Sequence, residues 1–248
     1  CLNGIGITAW QTRPPASIIA AGSVTEPIIQ SPPLVSAPPI TPVTTTPAQA
    51  IPAAIAKQRV ELHDWPQTLA AIETCSNCEL AKACNHKVPG IGLQRAELMI
   101  IGEAPSHDED IQGMPFVGRP GLLLDKLLQA INLNRESVYI TNIVKCRTPD
   151  NRDPKAQEIE ACSALLQAQI NLVQPRVLLA LGRISAQNLL QDKSPLNQLR
   201  QKQHAMTGSE LPLLVSYHPS YLLRNPHEKA KVWEDLKALQ RLLRHATD

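Results

Sequence analysis

Four cysteines are the residues of this chain whose type and spacing point most directly to chemistry. Cys75 and Cys78 form a C-x-x-C pair, whereas Cys146 and Cys162 stand far downstream with 15 residues between them. The two pairs meet only if the chain folds back on itself, and four thiolates then suit either zinc or an iron–sulfur cluster. Because zinc ribbons repeat a tight pair, the unequal spacing favours a cluster, with zinc as the alternative. Cys84 could replace a ligand, although we expect it to be a spare thiol.

Four carboxylates lie close together between the two cysteine pairs, in the stretch Gly102-Glu103-Ala104-Pro105-Ser106-His107-Asp108-Glu109-Asp110. Such acidity is often only a solvated surface, and the missing Walker glycines exclude a phosphate cradle. Glycosidic-bond cleavage, however, uses a carboxylate to stabilise a cationic sugar or to orient water. Glu103 and Glu109 are therefore the candidate catalytic carboxylates.

Three other side chains could recognise a nucleobase. Phe116 is the only phenylalanine, and it could stack on a base or simply plug the core. Asn142 offers both a donor and an acceptor to a base edge, although capping a turn is the commoner role. His218 precedes Pro219, which biases its backbone towards an extended conformation; the alternative is the start of a helix.

The elements that must position these residues alternate between strand and helix. Short apolar runs predict buried strands at 98–101, 138–140, 177–181 and 213–215, and helical spacing recurs around Leu122, Ile159 and Val232. This alternation predicts an α/β fold with a mainly parallel four-stranded sheet flanked by helices. Glu103, Asn142 and His218 all fall at the carboxyl ends of strands, the edge where open α/β sheets bind ligands.

Composition divides the chain in two. Ten of the 22 prolines lie between Pro14 and Pro52, so we expect residues 1–56 to be a short apolar peptide followed by a disordered linker. Residues 57–248 are the expected folded domain. The sequence contains no run of about 18 apolar residues, so it does not predict a membrane span. We expect a cytoplasmic, nucleoid-associated monomer.

The net charge of +2 is too small to indicate a nucleic-acid partner, so any DNA contact must be local. Basic residues do recur in the loops that carry the candidate site: Arg119, Lys145, Arg147, Arg152, Arg183 and Arg224. Leu222, Leu223 and Arg224 follow His218 closely, and they could form an apolar wedge beside a phosphate-binding guanidinium. The alternative places both leucines in the core.

These motifs together resemble the type-4 uracil-DNA glycosylases, which carry a four-iron cluster. The resemblance extends from Cys75 to the C-terminal helix. Its anchors are C-S-N-C, G-E-A-P followed by E-D, P-F-V-G, T-N-I-V-K-C-R, N-R at Asn151-Arg152 and H-P-S-Y-L-L-R. Each motif alone is modest, but their order and spacing are specific.

The resemblance implies a three-layer α/β sandwich, a 4Fe-4S cluster on the four cysteines and uracil-containing DNA as substrate. It implies that Phe116 stacks on flipped-out uracil, Asn142 reads its polar edge and His218 supports the leaving base. It also implies that the backbone around Glu103 and Ala104 lines the pocket and that Glu109 and Asn151 assist Glu103 and His218 in catalysis. We expect Gly102 and Ser106 in the same substrate pocket. From their charge and position we expect DNA contacts from Arg147, Arg152, Leu222, Leu223 and Arg224.

Two departures and one alternative function accompany the resemblance. Ser106 and Pro120 stand where the family usually has glycine and a small residue, so Ser106 could narrow the pocket or alter the backbone. Since related glycosylases have a water-activating aspartate where this chain has Ala104, water activation must be assigned elsewhere. The alternative is a non-catalytic iron–sulfur DNA-binding or damage-sensing module, tethered to replication or repair proteins through the N-terminal leader.

Overall fold

The computed structural model describes residues 62, 64–200 and 202–245. The N-terminal leader and the first residues of the expected domain therefore lie outside the described part of the chain. The strands are β1 Ile91–Gly92, β2 Leu98–Gly102, β3 Tyr139–Asn142, β4 Val177–Leu181, β5 His204–Ala205 and β6 Pro212–Ser216. They form one sheet in the order β1-β3-β2-β4-β6-β5.

The helices are α1 Trp65–Glu73, α2 Leu80–Ala83, α3 His107–Gln112, α4 Gly118–Ala130, α5 Ala156–Val173, α6 Arg183–Leu190, α7 Leu196–Leu199, α8 Pro219–Arg224 and α9 Lys229–His245. None of the helices in the described ranges is both long enough and apolar enough to cross a membrane.

The four predicted strands are confirmed as the parallel centre of the sheet, β3-β2-β4-β6. β1 and β5 are additional edge strands of two residues each, and both pair antiparallel with their neighbours. Such short, largely exposed segments carry no alternating apolar pattern, so the sequence does not predict them.

Both faces of the sheet are covered, which gives the three layers. Met99 and Ile101 of β2 belong to a core cluster with residues of α1 and α5, and Leu98 and Ile100 belong to a second cluster with residues of α4 and α9. Alternate side chains of a strand point to opposite faces, so one fully apolar strand contributes to both cores.

Two details of the helices differ from the expectations. The sequence suggests Asp153-Pro154 as the start of α5, but the helix begins at Ala156 after Lys155, whose backbone amide donates to Glu158 Oε2 at 2.7 Å. Leu122 was expected on the apolar stripe of α4, yet it is 67% exposed. The other residues of the predicted stripe, Leu123, Leu127, Leu128 and Ile131, are buried, and Leu124 is buried with them.

Candidate active site

The carboxyl ends of the central strands bring the predicted base-recognition residues together. Gly102 ends β2 and lies opposite Asn142 in the parallel register with β3. A Cβ at Gly102 would collide with Asn142 Oδ1 and would lie 2.8 Å from Phe116 Cζ. Glycine is therefore required here because the amide and the ring both approach the backbone closely.

Phe116 and His218 are in ring contact, with centroids 5.3 Å apart and planes 31° apart. Phe116 is only 1% exposed and belongs to a core cluster, as does Leu124 of α4. The ring is thus part of the core, as one of the two interpretations of its sequence position has it, and it also contacts His218. Stacking on a base stays a prediction.

Glu109 is buried directly beneath Phe116. Its Oε1 accepts a hydrogen bond from the Phe116 backbone amide at 2.9 Å, and its Oε2 accepts one from the Ser106 amide at 3.0 Å. Burial raises the pKa of Glu109 to about 7, against the opposing effects of these two amides, of the Asn142 amide group and of Arg135. This carboxyl group consequently exchanges its proton near neutral pH.

Asn142 is 1% exposed, and its Nδ2 lacks a hydrogen-bond partner among the described residues. The amide faces Glu109 closely enough to lower the carboxyl pKa, but it does not reach hydrogen-bond geometry. A buried donor of this kind costs about 1–3 kcal/mol while it is unpaired. The site therefore holds an amide N–H that a ligand acceptor could satisfy.

Lys145 ties the segment after β3 to the Asn142 backbone. Its Nζ donates to Thr141 Oγ1 at 2.8 Å and to the Asn142 carbonyl at 2.7 Å. Burial lowers the pKa of this lysine to about 8, with the nearby Cys162 acting in the opposite direction. Lys145 is 2% exposed, so its expected place in a phosphate-binding rim is wrong: the ammonium braces the loop from inside.

His218 caps the amino end of α8. Its Nδ1 accepts a hydrogen bond from the Ser220 amide at 3.2 Å, which leaves the proton of the neutral ring on Nε2. Burial and, to a smaller extent, Arg224 lower the pKa of His218 to about 4. The imidazole is consequently a neutral donor at physiological pH.

An open cleft of about 740 Å³ lies over this cluster. Of the predicted site residues it is lined by Glu103, Ala104, Ser106, Glu109, Asn151, Arg152, His218 and Arg224. Phe116 and Asn142 are both 1% exposed and lie below the open surface. A ligand that reaches them must therefore enter more deeply than the open cleft.

Glu103 and Glu109 have different surroundings although they come from one acidic stretch. Glu103 Oε1 accepts a hydrogen bond from the Ile184 amide at 3.0 Å, at the amino end of α6. Burial raises the pKa of Glu103, with the Ile184 amide opposing the increase. Gly182 makes room for this carboxylate, since a Cβ there would lie 2.5 Å from Glu103 Oε1.

Ser106 does not strain the backbone. It precedes α3 with φ −77° and ψ 179°, an extended conformation that any residue adopts. The expectation that serine alters the backbone approach at this point is therefore wrong, and its side chain simply lies in the cleft wall.

The residues expected to contact DNA divide into three groups. Leu222 is fully buried in the core, so its expected role as a wedge is wrong: the first turn of α8 directs it inward, whereas Leu223 is partly exposed. Arg152 makes hydrogen bonds of 2.9 and 2.6 Å to Glu158. Arg224 lines the cleft with an exposed side chain.

Asn151 lies at the rim of the cleft, where its Oδ1 accepts a hydrogen bond from Arg147 Nε at 3.0 Å. The Asn151 backbone is left-handed, with φ 52°, a conformation that asparagine tolerates better than most residues. Arg147 therefore holds the side chain of a residue whose backbone is already constrained.

Two tyrosines of the cleft wall were not singled out from the sequence. Tyr217 and Tyr221 stack with ring centroids 4.9 Å apart, and Arg200 lies 4.5 Å over the Tyr217 ring. The only signal for them is their position beside His218, because tyrosines at this spacing are equally common in a core.

The four cysteines of the two distant pairs converge on a single pocket. Cys75 and Cys78 lie between α1 and α2, Cys146 follows β3, and Cys162 lies on α5; all four line this pocket together with Ile72 and Leu80. The sulfur donors suit a thiolate-bound metal group. Among the described residues, no three or more His, Cys, Asp or Glu side chains are arranged to hold a single metal ion.

Cys84 is close to Cys146 but is absent from the set that lines this pocket. Burial is the main cause that raises the pKa of the Cys146 thiol, and a hydrogen bond with Cys84 is the next. The fifth cysteine is therefore a neighbour of the site and the natural comparison for its four lining thiols.

Comparison with known proteins agrees with this site. Residues 89–237 match the family model of the uracil DNA glycosylase superfamily. Over 177 residues the chain is 38% identical to the type-4 uracil-DNA glycosylase of Archaeoglobus fulgidus. The aligned region covers 69% of this chain and 89% of that relative. Type-4 uracil-DNA glycosylases of Sulfurisphaera tokodaii and Saccharolobus solfataricus are 39% and 40% identical, covering 68% and 69% of this chain and 80% and 83% of the relatives.

The fold and the site thus define a member of the uracil-DNA glycosylase superfamily. Within it, the chain belongs to the type-4 uracil-DNA glycosylases.

Proposed function

We propose that this protein is a DNA-repair glycosylase that hydrolyses the N-glycosidic bond of deoxyuridine in DNA, releasing uracil and leaving an abasic site. One observation carries the proposal: Phe116 contacts the neutral His218, beside the buried Asn142, whose Nδ2 has no hydrogen-bond partner in the part of the chain that the structure describes. A flat ring, a donor–acceptor amide and an uncharged imidazole are complementary to a single pyrimidine. The names of the type-4 relatives support the same activity.

In the proposed mechanism, His218 stabilises the departing base. Rupture of the glycosidic bond leaves negative charge on a uracil oxygen, and His218 Nε2–H donates to that oxygen. The Ser220 amide fixes the ring tautomer through Nδ1, so little reorganisation accompanies the reaction.

The carboxylates act on the sugar. Glu103 and Glu109 place negative charge at the cleft wall, where it opposes the positive charge that develops on the deoxyribose and can orient the attacking water. Glu109 also accepts a hydrogen bond from the Phe116 backbone amide. The same carboxylate is therefore proposed to act on the sugar and to hold the residue whose ring stacks on the base.

The direct test uses single- and double-stranded oligonucleotides with one deoxyuridine, followed by alkaline cleavage of abasic sites. We expect alkali-dependent strand cleavage at the uracil and free uracil in solution. Binding to the uracil oligonucleotide without any release would instead support the non-catalytic module. Cleavage without alkali would contradict a monofunctional glycosylase.

Asn142→Asp is expected to narrow the discrimination between uracil and cytosine. The wild-type amide offers a donor to uracil O4 and an acceptor to N3–H, whereas an ionised carboxylate accepts only. Uracil release should fall by about 10- to 100-fold as one matched hydrogen bond is lost, and the ratio of uracil to cytosine release should fall with it.

The matched control for this variant is Asn171→Asp on the exposed surface of α5, where Asn171 Oδ1 accepts from Gln167. It should leave both rates unchanged. An Asn142→Asp enzyme with the wild-type uracil-to-cytosine ratio would contradict the assignment of Asn142.

We propose that Cys75, Cys78, Cys146 and Cys162 hold a 4Fe-4S cluster with a structural role. Such a group, when bound, would join the segment before α2 to the end of β3 and to α5. The shared pocket and the type-4 relatives support this assignment over zinc.

The remaining proposals concern the surroundings of the enzyme. DNA is proposed to cross the cleft, with Arg147, Arg224 and Leu223 at its edge and Arg152 placed there by Glu158. We also propose that the protein works as a cytoplasmic monomer on the nucleoid and that residues 1–56 recruit it to replication or repair proteins.

A further inference from the structure

Phe116 has a backbone conformation that its side chain does not favour. Its φ is 52°, in the left-handed region, where a bulky residue is strained and stays only because the structure around it holds it there. The aromatic ring that meets His218 is therefore aimed by contacts to its own backbone.

One of these contacts comes from Glu109, which accepts from the Phe116 amide at 2.9 Å. The other comes from Arg135, in a short turn between α4 and β3. Arg135 Nη2 donates to the Phe116 carbonyl, and Nη1 donates to the Pro115 carbonyl at 3.2 Å. The two groups hold the peptide units on either side of the Phe116 Cα.

Arg135 is itself fixed. Its Nε donates to Asp125 Oδ1 of α4 at 2.5 Å, and both side chains are largely buried, with 23% and 28% exposed. Gly121, one turn before Asp125, makes the approach possible: a Cβ there would collide with the Phe116 carbonyl and would lie 2.8 Å from Arg135 Nη2.

We infer that Arg135 is a positioning residue of the active site, which sets the orientation of the Phe116 ring by holding its carbonyl in the left-handed turn. The inference rests on the proposed function, in which that ring stacks on uracil. A planar guanidinium with several fixed donors can hold two carbonyls and a carboxylate at once, whereas an ammonium cannot reproduce this fork.

The test is a double-mutant cycle of Arg135→Met and Phe116→Ala, read as single-turnover uracil release under saturating enzyme. We expect Arg135→Met to slow release by about 10- to 100-fold in the wild-type background, because misplacing a positioning contact has effects of this size. In the Phe116→Ala background it should slow release by less than about 2-fold. Equal factors in both backgrounds would overturn the inference.

Arg135→Lys separates geometry from charge, because Arg135 also lowers the pKa of Glu109. If the arginine acts through the Phe116 carbonyl, lysine does not restore the rate. A fully restored rate would overturn the positioning role. Should Arg135→Met fail to fold, the lysine variant carries the same cycle.

Arg176→Met is the matched control. Arg176 also pairs with a carboxylate, Glu97 at 2.9 Å, and has a comparably buried side chain, but it lies at the opposite edge of the sheet, before β4. Its loss should leave the release rate unchanged while removing an equivalent ion pair.

A readout without turnover keeps the inference separate from the proposed function. Since Phe116 lies 5.3 Å from the His218 ring, its ring current shifts the imidazole NMR signals. Arg135→Met should move those signals towards their positions in Phe116→Leu, and Arg176→Met should not. Unmoved NMR signals in Arg135→Met would overturn the positioning role, whether or not the wild-type protein releases uracil. Absence of uracil release from the wild-type protein would contradict the proposed function but not the positioning role.

Discussion

Replacement of His218 by alanine is expected to slow uracil release by about 10²–10³-fold, the effect of removing one preorganised donor to a developing oxyanion. The donor is preorganised because the Ser220 amide occupies Nδ1 and the Phe116 ring packs against the imidazole. The measurement is single-turnover release at saturating enzyme, with iron content and thermal unfolding followed in parallel. Fold and iron content should not change.

The pH profile adds an independent check on the same residue. With a pKa lowered from 6.5 to about 4, mainly by burial, His218 stays neutral until the pH approaches 4. Protonation there would place a proton on Nδ1 and break the bond from Ser220. The His218-dependent part of the rate should therefore persist at pH 5 and decline towards pH 4.

Glu109 should produce a separate step in the profile. Its pKa is raised from 4.5 to about 7, mainly by burial, so it gains a proton as the pH falls through 7 and loses the negative charge that is proposed to act on the sugar. The rate should therefore rise with pH through this region, in wild type and in His218→Ala alike.

His227→Ala is the matched control, since its ring is exposed and interacts only weakly with Glu228 at 3.4 Å. It should release uracil at the wild-type rate. A His218→Ala enzyme within about 3-fold of wild type would refute the leaving-group role, because a factor of that size is below the effect of a hydrogen bond to a charged group, about 1.5–3 kcal/mol.

The sequence predicts the sheet edge well for a physical reason. A run of only three to five apolar residues bounded by polar residues favours a buried strand over a longer helix, and parallel strands end at a common edge. Glu103, Asn142 and His218 could therefore be grouped before any contact was known. The cysteine pocket follows similarly, because a C-x-x-C pair before β2 and two further cysteines after β3 suit a metal group once the chain folds back.

The sequence does not reveal the roles that depend on contacts between elements that are distant along the chain. Arg135 stands in no motif, and its relation to Phe116 exists only because Gly121 lets α4 come close. Lys145 and Leu222 are of residue types that often contact DNA, yet both are buried. Residue type alone cannot distinguish a lysine that binds phosphate from one whose charge is satisfied by Thr141 and the Asn142 carbonyl.

A short segment also connects the cysteine pocket to Asn142 of the candidate active site. Only residues 143–145 separate Asn142 from Cys146, and Lys145 holds this short segment to the end of β3. Displacement of Cys146 would therefore be transmitted to the Asn142 carbonyl over a very short distance. The proposed structural cluster would be coupled in this way to the residue that is proposed to recognise the base.

Cys146→Ser is the variant in which this coupling should have its largest effect. We expect loss of most of the iron and of the visible absorbance of anaerobically purified protein, since one of four thiolate ligands is removed. The unfolding midpoint should fall by roughly 10 °C or more, because ligation contributes directly to the free energy of folding. Uracil release should fall with it.

Cys84→Ser makes the comparison decisive, because it removes a thiol that lies near Cys146 but does not line the pocket. It should retain iron, the visible spectrum and the rate of uracil release. If Cys84→Ser lost its iron and Cys146→Ser retained it, Cys84 would be the cluster ligand and Cys146 the spare thiol. Stoichiometric zinc without iron in the wild type would replace the cluster by a zinc site. Since neither result alters the geometry around Phe116 and His218, the glycosylase mechanism and the nature of the metal group can be judged independently.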